Sequence, residues 1–113
     1  MAGVVSEGTS APGCALAVDI GGTKMAAGLV DGTGALLVSA RTATVTDHDP
    51  EAVFAPLASL VDGVLGEGRR LGVAVDVCGV GCGGPMAPGG EEVSPLNIKG
   101  WRGFPLRRRL AER

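Results

Sequence analysis

The stretch Leu16-Ala17-Val18-Asp19-Ile20-Gly21-Gly22-Thr23-Lys24 constrains the architecture more than any other part of the chain. A short apolar run ends in a single carboxylate. Two glycines follow, then a hydroxyl and an ammonium. The apolar run predicts a buried strand, and the Gly-Gly pair predicts a sharp turn at its end. Glycines leave backbone N–H groups unshielded, so a phosphate can approach them closely. Thr23 adds a hydroxyl donor and Lys24 a point charge for phosphoryl oxygens. Asp19 is an oxygen ligand of the kind Mg²⁺ accepts, directly or through water. Together these residues read as a nucleotide-phosphate clamp. The competing reading is a β-hairpin whose turn happens to be Gly-Gly, a common hairpin signal. No G-x-x-x-x-G-K-[ST] occurs in the chain, so the clamp is not a Walker A loop.

The chain must close a core around that strand. Its 113 residues allow one domain at most. With 45% hydrophobic and 19% charged residues, bulk disorder is not expected. Aromatic residues are only 3% and Tyr is absent, so the core is expected to consist of Val, Leu and Ala. A net charge of −2 argues against nonspecific binding to nucleic acid or membranes. No apolar run reaches the roughly 18 residues of a membrane span. The N-terminus lacks the basic region of a signal peptide, so a cytoplasmic location is expected. Cys14, Cys78 and Cys82 form no C-x₂-C pair and are read as buried free thiols rather than zinc ligands.

Taken in order, residues 1–13 mix Gly, Ser, Thr and Pro without periodicity and read as a flexible tail. Strands are predicted at 14–20, 25–30 and 35–45, with a turn at Asp31-Gly32-Thr33-Gly34. The end of the third strand alternates Thr42 and Thr44 with Ala43 and Val45, as expected with one wet face. The chain therefore opens with a three-strand antiparallel meander. Asp49, Pro50 and Glu51 then read as cap, first position and first-turn acid of a helix. Val53, Leu57, Leu60, Val61, Val64 and Leu65 give it an apolar face. Pro56 should kink its first turn or delay its start, and Gly66 and Gly68 should end it. The only histidine, His48, reads as a solvated loop residue.

Residues 71–80 read as a fourth strand, apolar enough to be covered on both faces. Following a helix, it should lie parallel to the first strand by a right-handed crossover. Asp76 within it needs a partner or a bend. Gly79-Val80-Gly81-Cys82-Gly83-Gly84 matches G-x-G-x-x-G, but Pro85, Pro88, Gly89 and Gly90 forbid the helix that a dinucleotide site requires. What remains is a glycine loop at the carboxyl end of a parallel strand, which is either a ligand site or a plain tight turn. Pro88-Gly89-Gly90 should turn a short hairpin into Glu91-Glu92-Val93-Ser94. Asn97 reads either as an amide that orients ligand hydroxyls or as an Asx-turn. Trp101 reads as a core plug in preference to a stacking platform. Phe104-Pro105-Leu106 begins a last helix, whose Arg107, Arg108, Arg109 and Arg113 read as a solvated basic face.

Asp19-Ile20-Gly21-Gly22-Thr23-Lys24 resembles the first phosphate motif of the actin/hexokinase/Hsp70 ATPase superfamily. In this form it is most similar to the ROK family of bacterial sugar kinases, glucokinases and sugar-responsive repressors. Gly79-Val80-Gly81-Cys82-Gly83-Gly84-Pro85-Met86 and the stretch Ser94-Pro95-Leu96-Asn97-Ile98-Lys99-Gly100-Trp101-Arg102-Gly103-Phe104-Pro105-Leu106 also resemble that family, in the same order and at similar spacing. The resemblance covers residues 14–113. One departure is Ala87, where an aspartate is usual.

The resemblance implies an α/β fold: the N-terminal subdomain of a ribonuclease H-like, actin-like ATPase, incomplete. It implies ATP-dependent phosphorylation of a hexose, with ATP and Mg²⁺ as cofactors. Asp19 would hold Mg²⁺, possibly through water. Gly21, Gly22, Thr23 and Lys24 would cradle the β and γ phosphates. Gly83, Gly84 and Asn97 would line the sugar site. The family's catalytic base, its cysteine-rich zinc motif and its adenosine lobe are expected beyond Arg113, so the chain resembles about the first third of a two-lobed kinase. A sugar-sensing regulator of the same family would need a DNA-binding domain upstream of the first strand, for which residues 1–13 are too short. A noncatalytic remnant is the third reading. ROK proteins often dimerise or tetramerise, so a homo-oligomer is possible. The fourth strand, lacking its next neighbour, is expected to be an aggregation-prone edge.

Overall fold

The computed structural model describes residues 13–113. The proposed tail therefore lies outside the described residues, except for Gly13, which belongs to the first strand. The elements are β1 (Gly13–Ile20), β2 (Lys24–Val30), β3 (Leu36–Ala43), α1 (Pro50–Leu71), β4 (Ala74–Cys82), a 3₁₀ turn (Pro88–Gly90) and α2 (Leu106–Ala111). The sheet order is β3-β2-β1-β4. The β1–β2 and β2–β3 pairs are antiparallel and β1–β4 is parallel, as the meander and the helical crossover require. No described helix is long and apolar enough to cross a membrane.

The core lies between one face of this sheet and α1. Leu16, Val18 and Ile20 of β1 and Met25, Ala27 and Leu29 of β2 point into it. Val53, Phe54, Leu57, Val61 and Val64 of α1 meet them. Ala17 and Asp19 point the other way and are exposed. β1 is thus covered on one face only, because no described element packs on the other. The same holds more strongly for β4, whose residues are mostly exposed. It stands at the sheet edge, as expected for a strand without its next neighbour, so the cover on both faces that its apolar run suggests is not present among the described residues. Cys14 is buried as expected, but Cys78 is exposed and Cys82 half-buried, for the same reason. Asp76 sits at a bulge. Cys14 pairs with Val75 and Ala15 with Val77, which leaves Asp76 as the extra residue.

Helix α1 starts where its cap predicts. The Asp49 carboxylate accepts from the Glu51 N–H at 3.1 Å, and Pro50 occupies the first turn. Neither Pro56 nor the two glycines behave as expected. The helix starts at Pro50 without delay and continues through Pro56, since its buried face outweighs a local cost of about 3 kcal/mol. Nor do Gly66 and Gly68 end it. The helix stops at Gly72, whose φ of 76° only glycine adopts easily. Gly72 N–H bonds to Arg69 O at 3.1 Å and Val73 N–H to Gly68 O at 3.0 Å, a Schellman closure. Gly68 is needed for contact: a Cβ there would stand 2.6 Å from Leu29 Cδ1.

The C-terminal third docks on the start of α1. Trp101 is fully buried and stacks on Phe104 at 4.5 Å, and Phe104 meets Phe54 at 5.4 Å. The indole Nε1–H donates to Pro50 O at 3.2 Å. Trp101 is therefore the core plug. Met86 and Phe104 both bridge to Val93 in antiparallel fashion, the first across the Pro88–Gly90 turn. The basic face of α2 is not simply solvated. Arg109 forms a two-pronged pair with Glu51 at 2.6 and 2.7 Å while lying 4.5 Å over the Phe54 ring. Arg113 pairs with Asp62. Arg107 and Arg108 are exposed and make no ion pair among the described residues. The contacts were invisible in sequence because both acids lie on α1.

Two outcomes follow from this packing. The hydrogen bond from Arg109 holds the Glu51 carboxyl below its ordinary 4.5. A depressed carboxylate stabilises the fold fully above that ordinary value, and the contribution is lost as pH falls through the lower folded value. Glu51→Gln should therefore flatten the fall in thermal midpoint between about pH 5 and pH 3. An unchanged slope would show that the pair contributes nothing. The second outcome concerns β4, which carries no Lys or Pro to blunt its edge. Val80 is 43% exposed there. Sedimentation should show concentration-dependent association, which Val80→Lys suppresses. A monomeric wild-type chain at all concentrations would contradict this.

Candidate phosphate and sugar site

The strand directions bring three chain segments to one end of the sheet. β1 ends at Ile20, beside Cys82 at the end of β4. β2 begins at Lys24, opposite Ala43 at the end of β3. The Gly21–Thr23 turn, the start of the Thr44–His48 stretch and the Gly83–Gly84 loop thus lie at the same end. Carboxyl ends of parallel strands are where open α/β sheets bind ligands.

The Gly21–Lys24 turn is closed by Gly21 N–H bonding to Lys24 O at 2.9 Å. On its β3 side, Thr44 N–H bonds to Thr23 O at 2.9 Å and Thr44 Oγ1 donates to Gly21 O at 2.7 Å. These bonds occupy the carbonyls of Gly21, Thr23 and Lys24. The N–H groups of Gly22 and Thr23 have no partner among the described residues. Two neighbouring amides without a partner among those residues thus stand in this turn, and the exposed Thr23 and Lys24 follow Gly22 in the chain.

Asp19 pairs in the sheet with Ala26 on one side and Gly81 on the other. Its carboxylate is exposed on the sheet face away from α1 and makes no ion pair among the described residues. A Cβ on Gly81 would stand 3.6 Å from Asp19 Oδ1. Small neighbours thus leave the carboxylate open. No cluster of three or more His, Cys, Asp or Glu that could hold a metal occurs among the described residues. One carboxylate suits Mg²⁺ that arrives with phosphate and keeps its waters, rather than a metal caged by protein.

Glycine signals in the third segment divide. Gly79 and Gly81 belong to β4, so the loop read as Gly79–Gly84 begins only at Gly83. No atom lies within 4 Å of where a Gly83 Cβ would stand, and the nearest at Gly84 is Met86 N at 3.7 Å. The fold itself does not demand glycine there, and the exposed backbone is open to a ligand.

Asn97 is exposed and lies against the phosphate turn. A Cβ on Gly22 would stand 2.7 Å from Asn97 Cγ and 3.0 Å from its Cβ. No Asx-turn bond from its side chain occurs among the described residues. A cavity of about 270 Å³ opens beside this contact, lined by Gly22, Thr44, Asp47, His48, Asn97 and Lys99 among others. His48 is exposed there, as expected. Sequence reasoning missed Thr44, whose alternation with Val45 indicated only a wet strand face. Its bond to Gly21 depends on strand pairing. A larger cavity of about 530 Å³ lies between β4 and α2. Its lining has no carboxylate or hydroxyl, and it belongs to the β4 edge rather than to the clamp.

Comparison with known proteins places these features in context. The model of the ROK family matches residues 15–113. Glucokinase of Streptomyces coelicolor (strain ATCC BAA-471 / A3(2) / M145) is 36% identical over 101 residues, covering 89% of this chain and 30% of that protein. Glucokinase of Streptomyces lividans matches equally. A crystal structure of a ROK family glucokinase from Streptomyces griseus, in complex with glucose and AMPPNP, superposes with a TM-score of 0.71 at 32% identity. It covers 88% of this chain and 30% of that one. A sugar kinase structure from Cytophaga hutchinsonii ATCC 33406 gives a TM-score of 0.65 at 25% identity, over 88% of this chain and 32% of that one. The chain thus spans 30% of the length of the curated relatives it matches.

Proposed function

This chain belongs to the ROK family, and from that premise we propose that it supplies the phosphate clamp and part of the sugar site for ATP-dependent phosphorylation of a hexose, in the manner of a glucokinase. The observation that carries the reading is the turn at the carboxyl end of β1. The amides of Gly22 and Thr23 have no partner among the described residues, Lys24 follows them in the chain, and the exposed Asp19 carboxylate on the adjacent strand makes no ion pair among those residues.

Phosphoryl transfer is catalysed largely by positioning and charge stabilisation. Gly21 to Lys24 hold the β and γ phosphates. The amides of Gly22 and Thr23 and the Thr23 hydroxyl donate to phosphoryl oxygens, and Lys24 adds a positive charge. Asp19 would hold Mg²⁺, through water or directly, and a bound ion there would offset the negative charge of the phosphates. Gly83 and Gly84 let a hydroxylated ring approach the backbone. Asn97 offers its amide to the same ring. The partners are a hexose and ATP. A cytoplasmic location suits both.

Calorimetric titration tests this. The chain should bind Mg-AMPPNP, and glucose should bind more tightly when the nucleotide is present. Binding of neither ligand, or binding of AMPPNP that inorganic tripolyphosphate does not displace, would contradict the reading.

A further inference from the structure

Asn97 stands at the tip of an unusually well-braced loop. Pro95 is fully buried. Ile98 N–H bonds to Pro95 O at 3.2 Å and Trp101 N–H to Ile98 O at 3.1 Å. The Arg102 guanidinium reaches back to the carbonyls of Pro95 at 2.9 Å, Ile98 at 3.0 Å and Trp101 at 2.6 Å. At the far end, a Cβ on Gly100 would stand 3.0 Å from Val53 Cγ2 and would also run into Asp47 O. The loop is therefore pinned to the start of α1 and cannot shift without disturbing the Trp101 plug. Its exposed tip is aimed at Gly22.

We propose that Asn97 is a positioning residue: its side chain braces Gly22, and so fixes the two free amides of the Gly21–Lys24 turn. The inference rests on the phosphate reading of that turn, which it deepens. A turn whose amides bind phosphate must hold them at one geometry before the ligand arrives, since an ordering cost at binding reduces affinity. Thr44 restrains the turn's carbonyls by hydrogen bonds. Gly22 has no hydrogen bond among the described residues, and the Asn97 side chain is the restraint that packs on it. The contact also explains why position 22 is glycine, because any Cβ there displaces Asn97.

Amide ¹⁵N relaxation and Mg-AMPPNP titration on the 113-residue chain test this together. The variants are Asn97→Ala, which removes the brace, and Asn97→Asp, which keeps its shape. Asn97 is exposed, so neither is expected to unfold the protein. Without ligand, Asn97→Ala should raise fast motion at Gly22 and Thr23, whereas Asn97→Asp should leave it near wild type. With ligand, Asn97→Ala should weaken Mg-AMPPNP about tenfold, and Asn97→Asp should weaken it by the repulsion of its carboxylate. Unchanged motion at Gly22 in Asn97→Ala would overturn the proposal, as would a loss confined to glucose affinity. Failure of the wild-type chain to bind Mg-AMPPNP would contradict the phosphate reading alone, because the ligand-free comparison still decides whether Asn97 braces the turn.

Discussion

Trp101→Ala is expected to destabilise the fold by about 3–5 kcal/mol, the cost of emptying a large aromatic site in a packed core. Domains of this kind have only about 5–15 kcal/mol in total. At roughly 4 °C per kcal/mol, the thermal midpoint should fall by about 12–20 °C. Trp101 is fully buried, stacks on Phe104 with the rings 4° from parallel, and donates its indole N–H to Pro50 O. Its loss would empty the space under the start of α1 and also free the loop that carries Asn97. Trp101→Phe keeps an aromatic ring but gives up the hydrogen bond, so it should cost less than Trp101→Ala, although the smaller ring leaves part of the space empty. A loss below about 1 kcal/mol for Trp101→Ala would show that this aromatic cluster does not hold the C-terminal third to the sheet.

Asp19→Ala should separate stability from ligand binding in the opposite sense. The carboxylate is exposed, and no hydrogen bond or ion pair involves it among the described residues. Folding should therefore be nearly unaffected. Binding of AMPPNP with Mg²⁺ should weaken about ten- to hundredfold, the range seen when an oriented partner of a metal site is removed. Without Mg²⁺, binding should stay equal or improve, because a negative charge next to the phosphates has gone. Loss of affinity regardless of Mg²⁺ would instead give Asp19 a structural role in the turn.

Much of the fold was legible because it is written locally. The meander follows from alternating apolar residues and the Asp31–Gly34 turn. The start of α1 follows from Asp49 and Pro50, and both are where the spacing places them. The parallel placement of β4 follows from the helix before it. The misreadings concern features decided by distant partners. Gly68 looks like a helix terminator until Leu29 is seen pressing on it. The run over 71–80 looks covered on both faces because it is apolar, but burial depends on what stands beside it, and β4 is the edge that a missing neighbour leaves. Arg109 and Arg113 look solvated because Glu51 and Asp62 lie far off in the sequence.

The site divides along the same line. Asp19, Gly21, Gly22, Thr23 and Lys24 could be picked out because a strand, a turn and charged groups adjoin in sequence. Thr44 could not, since its bond to Gly21 exists only once β2 and β3 pair. Asn97 was recognisable as a polar group near the site, but its contact with Gly22 follows from a loop anchored by Arg102, Gly100 and Trp101.

We propose that the Gly21–Lys24 turn binds nucleotide phosphates. The most direct measurement is a backbone-amide ¹⁵N chemical-shift map of the chain titrated with Mg-AMPPNP. The account predicts the largest, saturable shifts at Gly22 and Thr23, with smaller ones at Lys24 and around Asp19. Shifts centred instead on the apolar cavity between β4 and α2, or no saturable shift at Gly22 and Thr23, would contradict it.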